Sequence, residues 1–202
     1  MDWIDYRLPD AEVRLLPGWL DRDQADALQA SLLRDVPWGV HRIRMFGRQV
    51  DSPRLSCWIG DPGTEYRYSG TRFAPHPWPE PLRPLRARLA SELGVAFDSV
   101  LANRYRDGRD AMGWHSDDEP ELGPAPTIAS LSLGATRRFV LRHRHDRTRK
   151  LGLELPHGSL LLMAGSTQRC WQHALPRTAR PVGERLNLTF RRVGLVPAGT
   201  GG

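Results

Sequence analysis

The residues able to do chemistry gather in the second half of this chain. His115-Ser116-Asp117 sets an imidazole and a carboxylate two positions apart. On a β-strand, residues i and i+2 point to the same face, roughly 6.6 Å apart, so both side chains can bend toward one divalent ion. A third donor must come from elsewhere. His173, in Trp171-Gln172-His173-Ala174-Leu175-Pro176, is the best candidate, although five others of the seven histidines compete for the position. Two histidines and one carboxylate occupy one face of an octahedron. They leave positions open for a cosubstrate and oxygen, as in non-haem Fe(II) oxygenases. A fourth protein ligand would close the site, as in structural zinc centres. His-x-Asp on its own is a frequent coincidence, so a second signature is needed.

Arg185-Leu186-Asn187-Leu188-Thr189-Phe190-Arg191 supplies one. Arg185, Asn187, Thr189 and Arg191 share one face of a strand, and Leu186, Leu188 and Phe190 share the other. One solvated face is the common explanation of such alternation. Here the polar set holds two arginines and no acidic partner, and the opposite face is large and apolar. Six residues at about 3.3 Å each put the two arginines roughly 20 Å apart along the strand. Their guanidinium arms, reaching inward, can grip an elongated dianion, and Arg is suited to this because its planar fork binds carboxylates bidentately. Asn103 and Tyr105 share a face of an earlier strand and add neutral hydrogen bonds. An iron triad beside a dicarboxylate grip points to 2-oxoglutarate.

These residues need a scaffold. Asp21 to Val36 reads as a helix, with Asp21 and Asp23 at its N-terminal end. Ala25, Leu28 and Leu32 form one apolar stripe, and Pro37 ends it. A second helix runs from about Pro81 to Leu93, with Leu82, Leu85 and Leu89 inward and Gly94 at its C-terminal end. After Gly94 the pattern becomes that of strands. Val100 to Arg106 is one, and Asp107-Gly108 predicts a tight hairpin returning through Trp114 to Asp117. Further strands are expected at Thr127 to Leu133, Arg138 to Arg142, Leu151 to Leu155, Ser159 to Met163 and Arg185 to Val193. His143 to Lys150 is a basic loop, and Pro197 to Gly202 a frayed tail. Helices followed by many short strands indicate an α+β, mainly β chain with a jelly-roll core.

The 202 residues suit one domain. A hydrophobic fraction of 40% and seven Trp exclude a disordered chain. The net charge of +6 suits a polyanionic partner, nucleic acid being the commonest, although a merely basic soluble protein has the same balance. Two cysteines make no disulfide framework, and the sequence shows neither a signal peptide nor an apolar run of about 18 residues. A cytoplasmic protein without a membrane segment is expected.

Read in order, the motifs resemble the AlkB family, closest to its duplex-DNA repair branch. They are Asn103-Arg104-Tyr105-Arg106-Asp107-Gly108, His115-Ser116-Asp117-Asp118-Glu119, Ile128-Ala129-Ser130-Leu131-Ser132-Leu133-Gly134, His157-Gly158-Ser159-Leu160-Leu161, His173-Ala174-Leu175-Pro176 and the strand from Arg185 to Arg191. Earlier stretches match at Met45-Phe46-Gly47, Gly60-Asp61-Pro62-Gly63 and Tyr66-Arg67-Tyr68-Ser69-Gly70. The resemblance implies a double-stranded β-helix core at 99–194, preceded by helices and a nucleotide-recognition segment at 1–98. It assigns His115, Asp117 and His173 to Fe(II), and Asn103, Tyr105, Arg185, Asn187, Thr189 and Arg191 to 2-oxoglutarate. It places Tyr66, Tyr68, Ser69 and Glu119 at the substrate base and makes Phe46 a finger filling the gap left by a flipped base. Arg54 and the His143 to Lys150 loop would touch phosphates.

Three positions depart from the branch pattern: Tyr68 often stands as Phe there, Ser116 as Arg and Arg138 as Asp. The implied activity is oxidative demethylation of bases such as 1-methyladenine and 3-methylcytosine in DNA by a monomer, giving formaldehyde, succinate and CO2. Alternatives are the same chemistry on RNA or protein, a non-catalytic nucleic-acid-binding jelly roll, and a zinc or manganese isomerase.

Overall fold

A computed structural model of the chain describes residues 2–45, 48–64, 66–68 and 71–194; for 41–45, 48–50, 66–68 and 71–73 only the course of the backbone is described. Phe46 and Ser69 lie outside the described residues, as does the tail from 195. In chain order the elements are β1 (Ile4–Tyr6), β2 (Glu12–Leu16), α1 (Arg22–Asp35), β3 (Gly39–Met45), β4 (Arg48–Gly60), β5 (Tyr66–Tyr68), β6 (Thr71–Phe73) and α2 (Leu82–Leu93). They continue with β7 (Ser99–Tyr105), β8 (Met112–His115), a 3-10 turn (Pro120–Leu122), β9 (Ile128–Gly134), β10 (Arg137–His143) and β11 (Lys150–Leu155). The last are β12 (Ser159–Ala164), the one-turn α3 (Thr167–Cys170), β13 (Trp171–Leu175) and β14 (Arg185–Arg191).

Local chemistry sets the helix ends. Asp21 caps α1: its carboxylate accepts from the Gln24 N–H at 2.8 Å, and the Gln24 side chain accepts from the Asp21 N–H at 3.3 Å. Gly94 ends α2 at φ 68°, where a side chain would be strained.

The strands form an eight-stranded sheet in the order β1-β2-β12-β9-β14-β7-β4-β3, a four-stranded sheet in the order β11-β10-β13-β8, and the separate β5–β6 hairpin. The described pairings between strands are all antiparallel. From β7 onward the chain alternates between the two larger sheets, with β10 and β11 together in the smaller one. This is the double-stranded β-helix arrangement. Residues 1–98 supply more than helices, because β1, β2, β3 and β4 extend the large sheet.

The expected hairpin at Asp107-Gly108 does not form. β7 pairs with β4 and β14, whereas β8 pairs with β13 in the other sheet. Gly108 also lacks the left-handed φ that the tightest hairpin turns require. Its glycine serves a close approach instead. A Cβ there would lie 2.5 Å from the Thr178 carbonyl oxygen, and Thr178 N–H donates to the Gly108 carbonyl at 2.9 Å. Asp107-Gly108 is therefore part of a crossover between sheets.

Two apolar clusters hold the layers together. One joins Leu28 and Leu32 of α1 and Leu82 and Leu89 of α2 to Leu131, Leu133, Leu186, Leu188 and Phe190 of the large sheet. The other lies between the sheets and includes Val13, Ile128, Leu141, Leu153, Leu161 and Trp171. Fully burying one such side chain stabilises the fold by about 1.5–3 kcal/mol. β14 thus packs its apolar face on the helices and turns its polar face inward between the sheets.

Candidate metal centre and cosubstrate cavity

The inward faces enclose a cavity whose lining includes His115, Asp117, His173, Asn103, Tyr105, Arg185, Asn187, Thr189, Arg191, Arg54 and Glu119. All seven residues of β14 are buried, so its polar face is the wall of a cavity and not a solvated surface.

Sheet register assembles the metal donors. His173 on β13 lies directly opposite His115 on β8. The two rings meet edge-on with centroids 4.2 Å apart, and Phe139 from β10 stacks on His173 at 5.3 Å. Asp117 lies two residues past His115, beyond the end of β8, with one carboxylate oxygen 4.0 Å from His115 Nε2. One donor atom from each of the three residues falls within 4.8 Å of the others, the one such cluster of three or more among the described residues. His115 Nδ1 lies 2.8 Å from the Gly113 carbonyl. A proton on Nδ1 makes that bond and leaves the Nε2 lone pair for a metal.

The electrostatics fit the same role. Burial pushes His173 down to about 3, assisted by the adjacent His115, and burial also lowers His115. Burial alone would raise Asp117, but Arg191, His173 and His115 hold it at about 2. At neutral pH the cluster therefore presents two neutral imidazoles and an ionised carboxylate, the protonation states a cation needs in its ligands.

Arg191 and Arg185 stand at opposite ends of the β14 face. Arg191 Nη2 donates to Asp117 Oδ1 at 2.7 Å, at the metal end. Arg185, 2% exposed, donates from Nη2 to Ser132 Oγ at 2.8 Å, and its guanidinium lies 5.4 Å from the Tyr105 ring. Burial lowers Arg185 to about 10, and its buried Nε has no hydrogen-bond partner. A buried cation with an orphaned donor is costly and calls for an anion. A carboxylate between Arg185 and Tyr105 would supply it, and the distal carboxylate of 2-oxoglutarate has that chemistry. Between the arginines, Asn187 Nδ2 donates to Ser130 Oγ at 2.7 Å and Thr189 Oγ1 to Asn187 Oδ1 at 3.1 Å. The residues present fit both Fe(II) and the cosubstrate.

Arg54 is placed differently from the expectation of a phosphate contact. It is 6% exposed, donates from Nε to Asn103 Oδ1 at 2.6 Å and from Nη1 to Ser52 Oγ at 3.1 Å, and lines the cavity. The reason is the period of two along β4, which turns Ser52, Arg54, Ser56 and Trp58 to the cavity together. His143, expected in the basic loop, is also buried and packs edge-on against Trp171 at 5.3 Å. Arg147, Arg149 and Lys150 of that loop are exposed. Glu119 lines the cavity. Tyr66 and Tyr68 are carried on β5, and their side chains lie outside the description.

Sequence reasoning missed two residues, Arg137 and Gln168. Arg137 is 3% exposed and donates to the carbonyls of Asp107, Asp110 and Pro176, tying the β7–β8 crossover to the segment after β13. Its place follows from alternation, since Arg137, Phe139, Leu141 and His143 share the inner face of β10. Gln168, beneath Asp117, had no such signal.

Comparison with known proteins agrees with this geometry. Residues 12–191 match the model of the 2OG-Fe(II) oxygenase superfamily. The chain is 40% identical over 204 residues to alpha-ketoglutarate-dependent dioxygenase alkB homolog 3 of Rattus norvegicus, covering 95% of this chain and 68% of the relative. The chain belongs to the AlkB family of Fe(II)- and 2-oxoglutarate-dependent dioxygenases. It is also 38% identical over 180 residues to DNA oxidative demethylase ALKBH2 of Homo sapiens, covering 84% of this chain and 69% of that one. Identities of 40% and 38% do not separate the two branches. The solved structure of OsALKBH1 superposes with a TM-score of 0.68 at 19% identity, covering 95% of this chain and 100% of that one, a likeness of fold. In this AlkB-family enzyme His115, Asp117 and His173 are the residues that fit Fe(II), and Arg185 with Arg191 those that fit 2-oxoglutarate.

Proposed function

We propose that this dioxygenase demethylates N-alkylated nucleic-acid bases, with 1-methyladenine and 3-methylcytosine in DNA as its substrates, as a cytoplasmic monomer. The observation that carries the reading is the open His115, Asp117, His173 cluster beside a buried, anion-seeking Arg185 in one cavity. Bound Fe(II) with 2-oxoglutarate and O2 supplies the oxidation of a methyl C–H, and the hydroxylated methyl leaves as formaldehyde. The chain's residues do the rest. Arg185 and Tyr105 hold one end of the cosubstrate, Arg191 steadies Asp117, and packing from Phe139 fixes the ring of His173.

The substrate side rests on charge and on relatives. Both target lesions are cations, and Glu119 brings a carboxylate to the cavity. The net charge of +6 and the exposed Arg147, Arg149 and Lys150 suit a phosphate backbone. A base inside a duplex must be flipped out at a few kcal/mol, less where the lesion already prevents pairing. Phe46 is the residue assigned to fill the gap, and Phe46→Ala should then weaken repair of duplex more than of single strands. An isomerase would have no use for Arg185 and Arg191, and a non-catalytic module would need no intact metal cluster.

The test is formaldehyde and succinate release from oligonucleotides carrying 1-methyladenine or 3-methylcytosine, as DNA and as RNA, single- and double-stranded. Turnover on DNA supports the reading. Turnover on RNA alone, or on a methylated protein alone, replaces the substrate.

A further inference from the structure

We propose that Gln168 is a positioning residue for the metal-binding carboxylate, holding the backbone of Asp117 so that its side chain faces the two imidazoles. Asp117 lies past the end of β8, where no described ladder pairing fixes the chain. Its N–H instead donates to Gln168 Oε1 at 2.9 Å. Gln168 is 1% exposed, and its Nε2 lies 3.7 Å from Met163 Sδ, a weak acceptor. That leaves Oε1 as the strong end of the amide and aims it at Asp117.

The residues on either side are tied to the same segment. Ser116 Oγ donates to the Trp171 carbonyl at 2.8 Å. The Asp118 carboxylate accepts from Arg144 Nη2, which also reaches the Gln168 carbonyl at 3.4 Å. Gln168 is on α3 and His173 on β13, which follows it without a break. One short stretch therefore carries the third ligand and anchors the loop that carries the carboxylate.

The anchor has a chemical purpose. Asp117 already accepts a hydrogen bond from Arg191 at 2.7 Å. A loop free to move would let the carboxylate settle on the arginine and turn from His115 and His173. Fixing the Asp117 backbone keeps Oδ1, the oxygen that accepts from Arg191, also within 4.0 Å of His115 Nε2. Partners that orient metal ligands from outside typically contribute about 10–100-fold in metal affinity. This inference is independent of the substrate.

The experiment is anaerobic Fe(II) titration of the full chain with saturating 2-oxoglutarate, followed by the charge-transfer absorbance of the complex. Gln168→Leu should raise the Fe(II) Kd about 10–100-fold, with kcat recovering at high Fe(II). Thr167→Val is the control. The Thr167 hydroxyl ties α3 to the Ala164 carbonyl at 2.6 Å and to Glu12, without touching Asp117. It should leave the Kd within about threefold of the parent, well short of that range. An unchanged Kd in folded Gln168→Leu would overturn the proposal, and so would an equal rise in both variants. Gln168→Met repeats the test if the Leu variant fails to fold.

Discussion

Replacing Arg185 with Met should move two properties in opposite directions. Burial lowers this guanidinium from the usual arginine range to about 10. At about 1.36 kcal/mol per unit, the ligand-free fold carries roughly 3 kcal/mol of unfavourable energy for keeping the charge inside. Because the folded value lies below the unfolded one, that cost is fully present at neutral pH. It fades only as pH rises through about 10 toward the usual arginine range. Arg185→Met removes that cost, which already includes the favourable contact with Tyr105, and also the hydrogen bond to Ser132, worth about 1 kcal/mol. The net expectation is a gain of about 2 kcal/mol, or about 4–8 °C in Tm for a chain of this size. Cosubstrate binding goes the other way. Losing a buried charge pair costs about 2–5 kcal/mol, which is roughly 30- to 4000-fold in Kd. Thermal melts of metal-free protein, then of protein with anaerobic Fe(II) and rising 2-oxoglutarate, read both effects. A variant clearly less stable than the parent, yet still stabilised by 2-oxoglutarate to the same extent, would refute the reasoning.

Other consequences follow from the same structure. His173 is lowered to about 3, so it stays neutral in the metal-free fold while the unfolded chain protonates it below about 6.5. Metal-free stability should therefore fall as pH drops from 6.5 to 5, by about 1.4 kcal/mol per pH unit at most from His173, and the lowered His115 acts in the same direction. Urea midpoints at the two pH values check this, and equal midpoints would contradict a neutral, buried His173. Gly134 has φ 83°, and a Cβ there would run into the Glu184 carbonyl oxygen, so Gly134→Ala should cost at least about 1–2 kcal/mol in thermal melts. Leu188→Ala empties a fully buried position on the helix side of β14 and should cost about 2–5 kcal/mol by urea denaturation, leaving the Fe(II) Kd near that of the parent.

Much of the site was legible in the sequence because strands write their faces with a period of two. The polar set Arg185, Asn187, Thr189 and Arg191 could be separated from Leu186, Leu188 and Phe190 by counting alone. What lay opposite that face could not be counted, and it proved to be a cavity. The pairing of His115 with His173 depends on strand register between segments 58 residues apart, which local pattern does not encode. Asp107-Gly108 misled because the same dipeptide serves a tight turn and a close backbone approach, and the partner, Thr178, is distant in sequence. Arg54 was placed at phosphates by the resemblance alone, and its inward direction depends on strand β4, whose alternation turns Ser52, Arg54, Ser56 and Trp58 to the cavity. Gln168 contributes through one hydrogen bond to a backbone N–H, for which no residue spacing gives a sign.

The most direct test of the account is an anaerobic titration of Fe(II) into the protein with 2-oxoglutarate present, for the parent and for His115→Ala, Asp117→Ala and His173→Ala. The account predicts one equivalent of tightly bound iron per chain in the parent, with the charge-transfer band, and loss of both in each variant. Iron that still binds tightly with the band intact in His173→Ala would contradict it.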